Sequence, residues 1–109
     1  MRGLLIDPVA KTVTETEVTG VTNQEQMASL HDILRCDGLI QRVFIVRGLD
    51  LWVDEAARNG SKVFPAFWFD RAETQPFYGR ALILGRDGHN IAGFDQPLDA
   101  LTKLVRFER

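Results

Sequence analysis

The stretch Ala81-Leu82-Ile83-Leu84-Gly85-Arg86-Asp87-Gly88-His89-Asn90-Ile91-Ala92-Gly93-Phe94 decides the fold class. Its first four residues are a short continuous apolar run, the pattern of a buried strand. Asp87-Gly88 is a tight-turn dipeptide, because glycine takes the positive φ that such turns need. Asn90 to Phe94 is then expected to return against the first strand. A connection this short joins antiparallel neighbours, since parallel strands need a crossover of about a dozen residues or more.

The same economy of connection runs through the chain. Arg2 to Ile6 reads as a buried strand, followed by a turn at Asp7-Pro8-Val9-Ala10-Lys11. Residues 12–19 (TVTETEVT) are β-branched but carry few large apolar groups, so they predict a strand with a wet face, suited to a sheet edge. Residues 39–46 (LIQRVFIV) form the next strand, Arg47-Gly48-Leu49-Asp50 a turn, and Leu51-Trp52-Val53 its hairpin partner. A single helical turn is expected from Asp54 through Ala57, closed by Asn59-Gly60. Residues 63–69 (VFPAFWF) are aromatic and extended, and Asp70 to Tyr78 reads as a loop.

Two segments carry helical periodicity. Thr22 and Glu25 have the spacing of a capping box, and Met27, Leu30, Ile33 and Leu34 recur on one side, with Asp37-Gly38 as the stop. Near the end, Asp95 is expected to cap a helix that tolerates Pro97 in its first turn, with Leu98, Leu101, Leu104 and Val105 as its buried stripe. Lys103, Arg106 and Arg109 suit the negative end of its dipole. The reading is one α+β domain over residues 1–109, a mostly antiparallel sheet with two main helices packed on one face.

Composition narrows the function. Of 109 residues, 45% are hydrophobic and 26% charged, which excludes a disordered or collagen-like chain. Thirteen Lys+Arg against fifteen Asp+Glu argue against a nucleic-acid groove. One cysteine, Cys36, allows no internal disulfide and fits a reducing compartment. The apolar run Leu4-Leu5-Ile6 is cut by Asp7-Pro8, too short for an export signal, and no stretch approaches the roughly 20 apolar residues of a membrane helix. The expected location is the cytoplasm, away from membranes.

The chemical constellations are thin. His31 stands five residues before Cys36, about 140° around a helix, so the two do not share a face and Cys36 reads as a small buried hydrophobe. Two histidines and one cysteine without close pairing do not make a zinc site, and no catalytic residue, metal or cofactor is expected. Gly85-Arg86-Asp87-Gly88 lacks the closing Gly-Lys-Ser/Thr of a phosphate loop. Ten of the thirteen basic residues are arginine, but they are interleaved with acids.

Aromatic placement is the strongest feature. Six of ten aromatic residues fall within residues 64–78: Phe64, Phe67, Trp68, Phe69, Phe77 and Tyr78. Alternation sends Phe67 and Phe69 to one face of a strand and Phe64 and Trp68 to the other. A sheet covered on one face cannot bury both sets. Either the following loop folds back over the second set, or that set meets a partner. The partner reading assigns Phe67, Trp68, Phe69, Phe77 and Tyr78 to a contact surface, with Trp52 alongside.

In four places the chain resembles a family of small proteins encoded by bacteriophages, plasmids and integrated mobile elements. These are the strand ending Ile6-Asp7-Pro8, the Leu-rich helix, the segment Asp50 to Glu55, and Gly79 to Asp87. The aromatic segment Phe64 to Phe69 departs from the family pattern. The resemblance carries no activity, cofactor or site residue. It implies an accessory protein in a bacterial host's cytoplasm that binds a host or phage protein, defence machinery included; a homodimer is the self-association reading of the aromatic surface. Two alternatives stand beside it: a nucleotide- or metabolite-binding protein or enzyme using Asp50, Asp54, Arg80 and Arg86, and a nucleic-acid accessory protein.

Overall fold

The computed structural model describes residues 1–46, 48–55, 66–69 and 76–107. Phe64, Pro65, the helical turn expected after Asp54 and most of the expected 70–78 loop lie outside these residues.

Nine strands are described: β1 (Arg2–Asp7), β2 (Thr12–Glu17), β3 (Ile40–Val46), β4 (Leu49–Asp54), β5 (Ala66–Phe69), β6 (Phe77–Tyr78), β7 (Ala81–Asp87), β8 (Asn90–Ala92) and β9 (Val105–Phe107). They are accompanied by helix α1 (Asn23–Leu34) and a single turn, α2 (Asp99–Thr102). The main sheet has the order β2-β1-β7-β4-β3, with β8 also paired to β7. Every pairing is antiparallel. The hairpin read from residues 81–94 is therefore present, and its first strand lies at the middle of the sheet. A second sheet, β6-β5-β9, is also antiparallel.

Both faces of the main sheet are covered. On one, Leu30 and Leu34 of α1 pack with Trp52, Leu82 and Leu84. On the other, Leu4, Ile6, Val43, Leu51, Val53 and Ile83 meet Phe67, Phe69 and Phe77 of the small sheet together with Leu101 of α2. The expectation of two helices on one face is thus corrected. Among the described residues, α1 is the one helix on its face, while α2 is one turn long and lies on the opposite side with the second sheet. The reason lies in Val105-Arg106-Phe107, which pairs with β5 instead of continuing a helix. Pro97 and Leu98 start the short turn, with no side-chain cap.

Local signals explain α1 well. Thr22 Oγ1 accepts the Glu25 amide at 3.2 Å, and the Glu25 carboxylate accepts the Thr22 amide at 3.0 Å. These bonds hold the Glu25 carboxyl below its ordinary range. The helix closes earlier than Asp37-Gly38. Arg35 takes the left-handed conformation (φ 53°), and the Cys36 amide donates to the His31 carbonyl at 3.0 Å. That closure turns Cys36 into the core, where it is 4% exposed. After β1, Asp7 Oδ1 accepts the Val9 and Ala10 amides, the turn its sequence predicts.

Two-sided burial gives a direct check. Phe67 is fully buried and stacks on Phe77 at 5.5 Å. Phe67→Ala is expected to lower the unfolding free energy by about 3–5 kcal/mol. The next residue along, Trp68, faces away from this core, so Trp68→Ala is expected to cost clearly less. Urea unfolding midpoints at constant m-value compare the two.

Candidate functional site

Asp50 is the one buried charged residue among those described, with no exposure at all. It lies on β4, on the face that α1 covers in part. Neighbouring strands bring two cations to it. Arg42 of β3 donates from Nε to Asp50 Oδ2 at 2.5 Å. Arg86 of β7 donates from Nε to Oδ2 at 3.1 Å and from Nη2 to Oδ1, a two-pronged contact. Arg42 Nη1 reaches on to the His89 carbonyl at 3.1 Å, tying in the β7–β8 turn.

Register explains the convergence. Phe44, Asp50 and Leu84 stand opposite one another across β3, β4 and β7, and Arg42, Trp52 and Leu82 form the adjacent row. Each guanidinium also lies over a ring: Arg42 over Trp52 at 4.8 Å and Arg86 over Phe44 at 4.8 Å. Burial by itself raises the Asp50 carboxyl's pKa. The hydrogen bonds from Arg86 and Arg42, with their charges, outweigh that effect and leave it below the ordinary range.

Two arginines against one aspartate leave the cluster with one net positive charge. Arg42 Nη2 and Trp52 Nε1 are buried and, among the described residues, have no hydrogen-bond partner. Phe44, on the edge strand, is 59% exposed, and Leu39 just before the strand is 74% exposed.

The residues singled out from sequence scatter. Phe67, Phe69 and Phe77 are core side chains with essentially no surface, and Trp52 is 6% exposed beneath Arg42. An aromatic contact surface built on those four is corrected accordingly: the second face of the main sheet is covered by β5 and β6 themselves. Trp68 and Tyr78 are half-buried, on the side of the small sheet away from Phe67, with Arg106 over the Trp68 ring at 5.3 Å. Of the Asp/Arg set, Asp50 and Arg86 are joined. Arg80 instead ties Asp7 (3.3 Å) to the Ile33 carbonyl (3.2 Å), and Asp54 lies beside Cys36. Burial pushes the Cys36 thiol's pKa up, and the His31 ring Nδ1 donates to the Cys36 carbonyl, not to sulfur.

Sequence reasoning missed Arg42 and Phe44. Their signal was the alternation within residues 39–46, which puts both on one face with Asp50 once the strand order is known. Among the described residues, no three His, Cys, Asp or Glu side chains gather as metal ligands, and no helix is long and apolar enough to cross a membrane. Comparison of the chain with protein families, curated proteins and solved structures finds no match.

Asp50→Asn keeps the shape but removes the charge that both arginines share, and is expected to lower stability by about 3 kcal/mol. The folded-state pKa of Asp50 is depressed, so its contribution is fully present above the unfolded value of about 3.9 and disappears as pH falls through the lower, folded value. The stability gap between wild type and Asp50→Asn should therefore close below about pH 4. Urea titrations from neutral to acid pH measure it.

Proposed function

We propose that this protein acts by binding another protein, and that the contact is the exposed edge of β3 with Phe44 at its centre. The observation that carries this reading is an edge strand bearing an exposed aromatic ring held in place from beneath. The Glu55 amide donates to the Leu39 carbonyl at 3.0 Å. Alternation along an antiparallel pair then turns the backbone N–H and C=O of Ile40, Arg42 and Phe44 away from β4. Among the described residues, no strand pairs on that side.

The opposite edge differs. β2 is polar, with Glu15 and Glu17 exposed, a composition that discourages strand addition. β3 places Leu39 and Phe44 at the surface instead. An extended segment of a partner could add to it as a further strand, its backbone giving affinity and a pocket for Phe44 giving specificity. Arg86, fixed by Asp50, holds the ring in one position, so little side-chain freedom is lost on binding. The resemblance to proteins of phages and mobile elements supplies the setting: an accessory protein in the host cytoplasm whose partner is a host or phage protein, with modulation of defence machinery as one outcome.

The test is co-purification of tagged wild-type, Phe44→Ala and Trp68→Ala chains from bacterial lysate, each first shown to melt as wild type does. Phe44→Ala should lose the stoichiometric partner and Trp68→Ala should keep it. Loss with Trp68→Ala alone would move the contact to the small sheet. Light scattering of the purified chain that returned a dimer, lost in Phe44→Ala, would make the partner a second copy.

A further inference from the structure

Beside the Asp50 cluster lies a hollow of about 190 Å³. It is lined by Asn23 and Met27 of α1, Arg42 of β3, Trp52 of β4, His89 of the β7–β8 turn, and Asn90 and Ile91 of β8. We infer that this hollow is a binding site for a small monocarboxylate with a compact apolar body.

The charge balance comes first. Among the described residues, no acidic side chain lines the hollow. Asp50 is the nearest counter-charge on the cluster, and its two oxygens are already taken by Arg86 and by Arg42 Nε. One positive charge is left over on the cluster, shared by its two arginines, and Arg42 brings it to the lining of the hollow.

Unmet hydrogen bonding comes second. Arg42 Nη2 and Trp52 Nε1 are both donors, both buried and, among the described residues, both without an acceptor. A buried donor left unpaired pays its desolvation with nothing in return, so native proteins seldom keep one without an acceptor. A carboxylate brings two acceptor oxygens and a single negative charge, which matches two donors and one surplus cation. A phosphate dianion would face one counter-charge too few. Met27, half-buried, unbranched and flexible, is the wall best able to yield and uncover the indole N–H.

The walls give the rest of the ligand. Trp52, Met27 and Ile91 are largely apolar, and Asn23 and Asn90 add polar residues to the lining. The volume is below the roughly 300–1,000 Å³ of drug-sized pockets, which limits the ligand to a small acid. Of the β3 edge residues Arg42 lines this hollow and Phe44 does not, so the inference does not depend on the Phe44 contact.

The indole N–H is its own reporter. Two tryptophans give two indole signals in a ¹⁵N–¹H spectrum, and Trp68→Phe identifies that of Trp52. Titration of the full chain with benzoate should move the Trp52 signal downfield in a saturable way, with a Kd of about 1 mM or tighter. Benzamide, which has the same shape without the charge, should bind at least about tenfold more weakly, and inorganic phosphate should leave the signal in place. Arg42→Lys keeps the charge but loses the fork, and should weaken benzoate about tenfold while the spectrum stays dispersed. A Trp52 signal that ignores benzoate and isobutyrate up to about 50 mM would overturn the inference. So would an equal response to benzamide, a response to phosphate alone, or full affinity in Arg42→Lys.

Discussion

A carboxylate shut away from water is tolerable only when each of its oxygens is filled by donors. Asp50 meets that condition by drawing one arginine from the strand on either side. Much of this face follows from it. The two guanidinium groups fix the relative position of β3, β4 and β7, since a slip of one residue would turn Arg42 or Arg86 to the opposite side. Each cation then settles on an aromatic ring, which orients Trp52 inward and Phe44 outward. Arg42 reaches past the carboxylate to the His89 carbonyl, so the β7–β8 turn is aligned by the same group. Edge strand, hollow and turn are therefore one electrostatic unit, and the surplus positive charge is a property of the unit, not of either arginine alone.

The second constraint is hydrophobic. β4 and β7 are buried over five consecutive residues each, Leu49 to Val53 and Ala81 to Gly85. Neither strand has a wet face. Such strands need a cover on both sides, and the chain supplies α1 for one and β5, β6, β9 and α2 for the other. Phe67, Phe69 and Phe77 are the interior of that second cover. The dense run of aromatic residues is thus a consequence of laying a small sheet on a large one, where broad flat rings fill the space between two layers.

What was legible in the sequence was local. The capping box at Thr22 and Glu25, the Asp7 turn, the Asp87-Gly88 hairpin and the polar edge character of residues 12–17 all rest on neighbours a few residues apart, and all are present. What was not legible depended on strand order. Leu98, Leu101, Leu104 and Val105 fit a helical stripe, yet the last of them belongs to a strand, because β5 offers it a partner 36 residues away in register with Phe69. Arg42 looked like one more scattered cation until β3 was placed beside Asp50. Phe44 lies in the strand read over residues 39–46, and the position of β3 at the end of the sheet is what exposes it. The contact surface expected around Phe67 failed for the same reason: alternation assigns sides to a strand but does not say how many of those sides are covered.

The position of β7 carries a temporal meaning. The hairpins β1–β2 and β3–β4 each form from residues close in sequence, and among the described residues they do not pair with each other. In the sheet they meet at β7, which pairs with β1 on one side and β4 on the other. On a ribosome, the first half of this domain can emerge as two hairpins and a helix with no shared sheet, each with open apolar edges. Residues 81–87 then enter between them and close the sheet in one step. A topology that waits for a late central strand folds slowly for its size. It also leaves its longest apolar strands unprotected until that strand arrives, which makes the interval before β7 the moment when a chaperone would matter most to this chain.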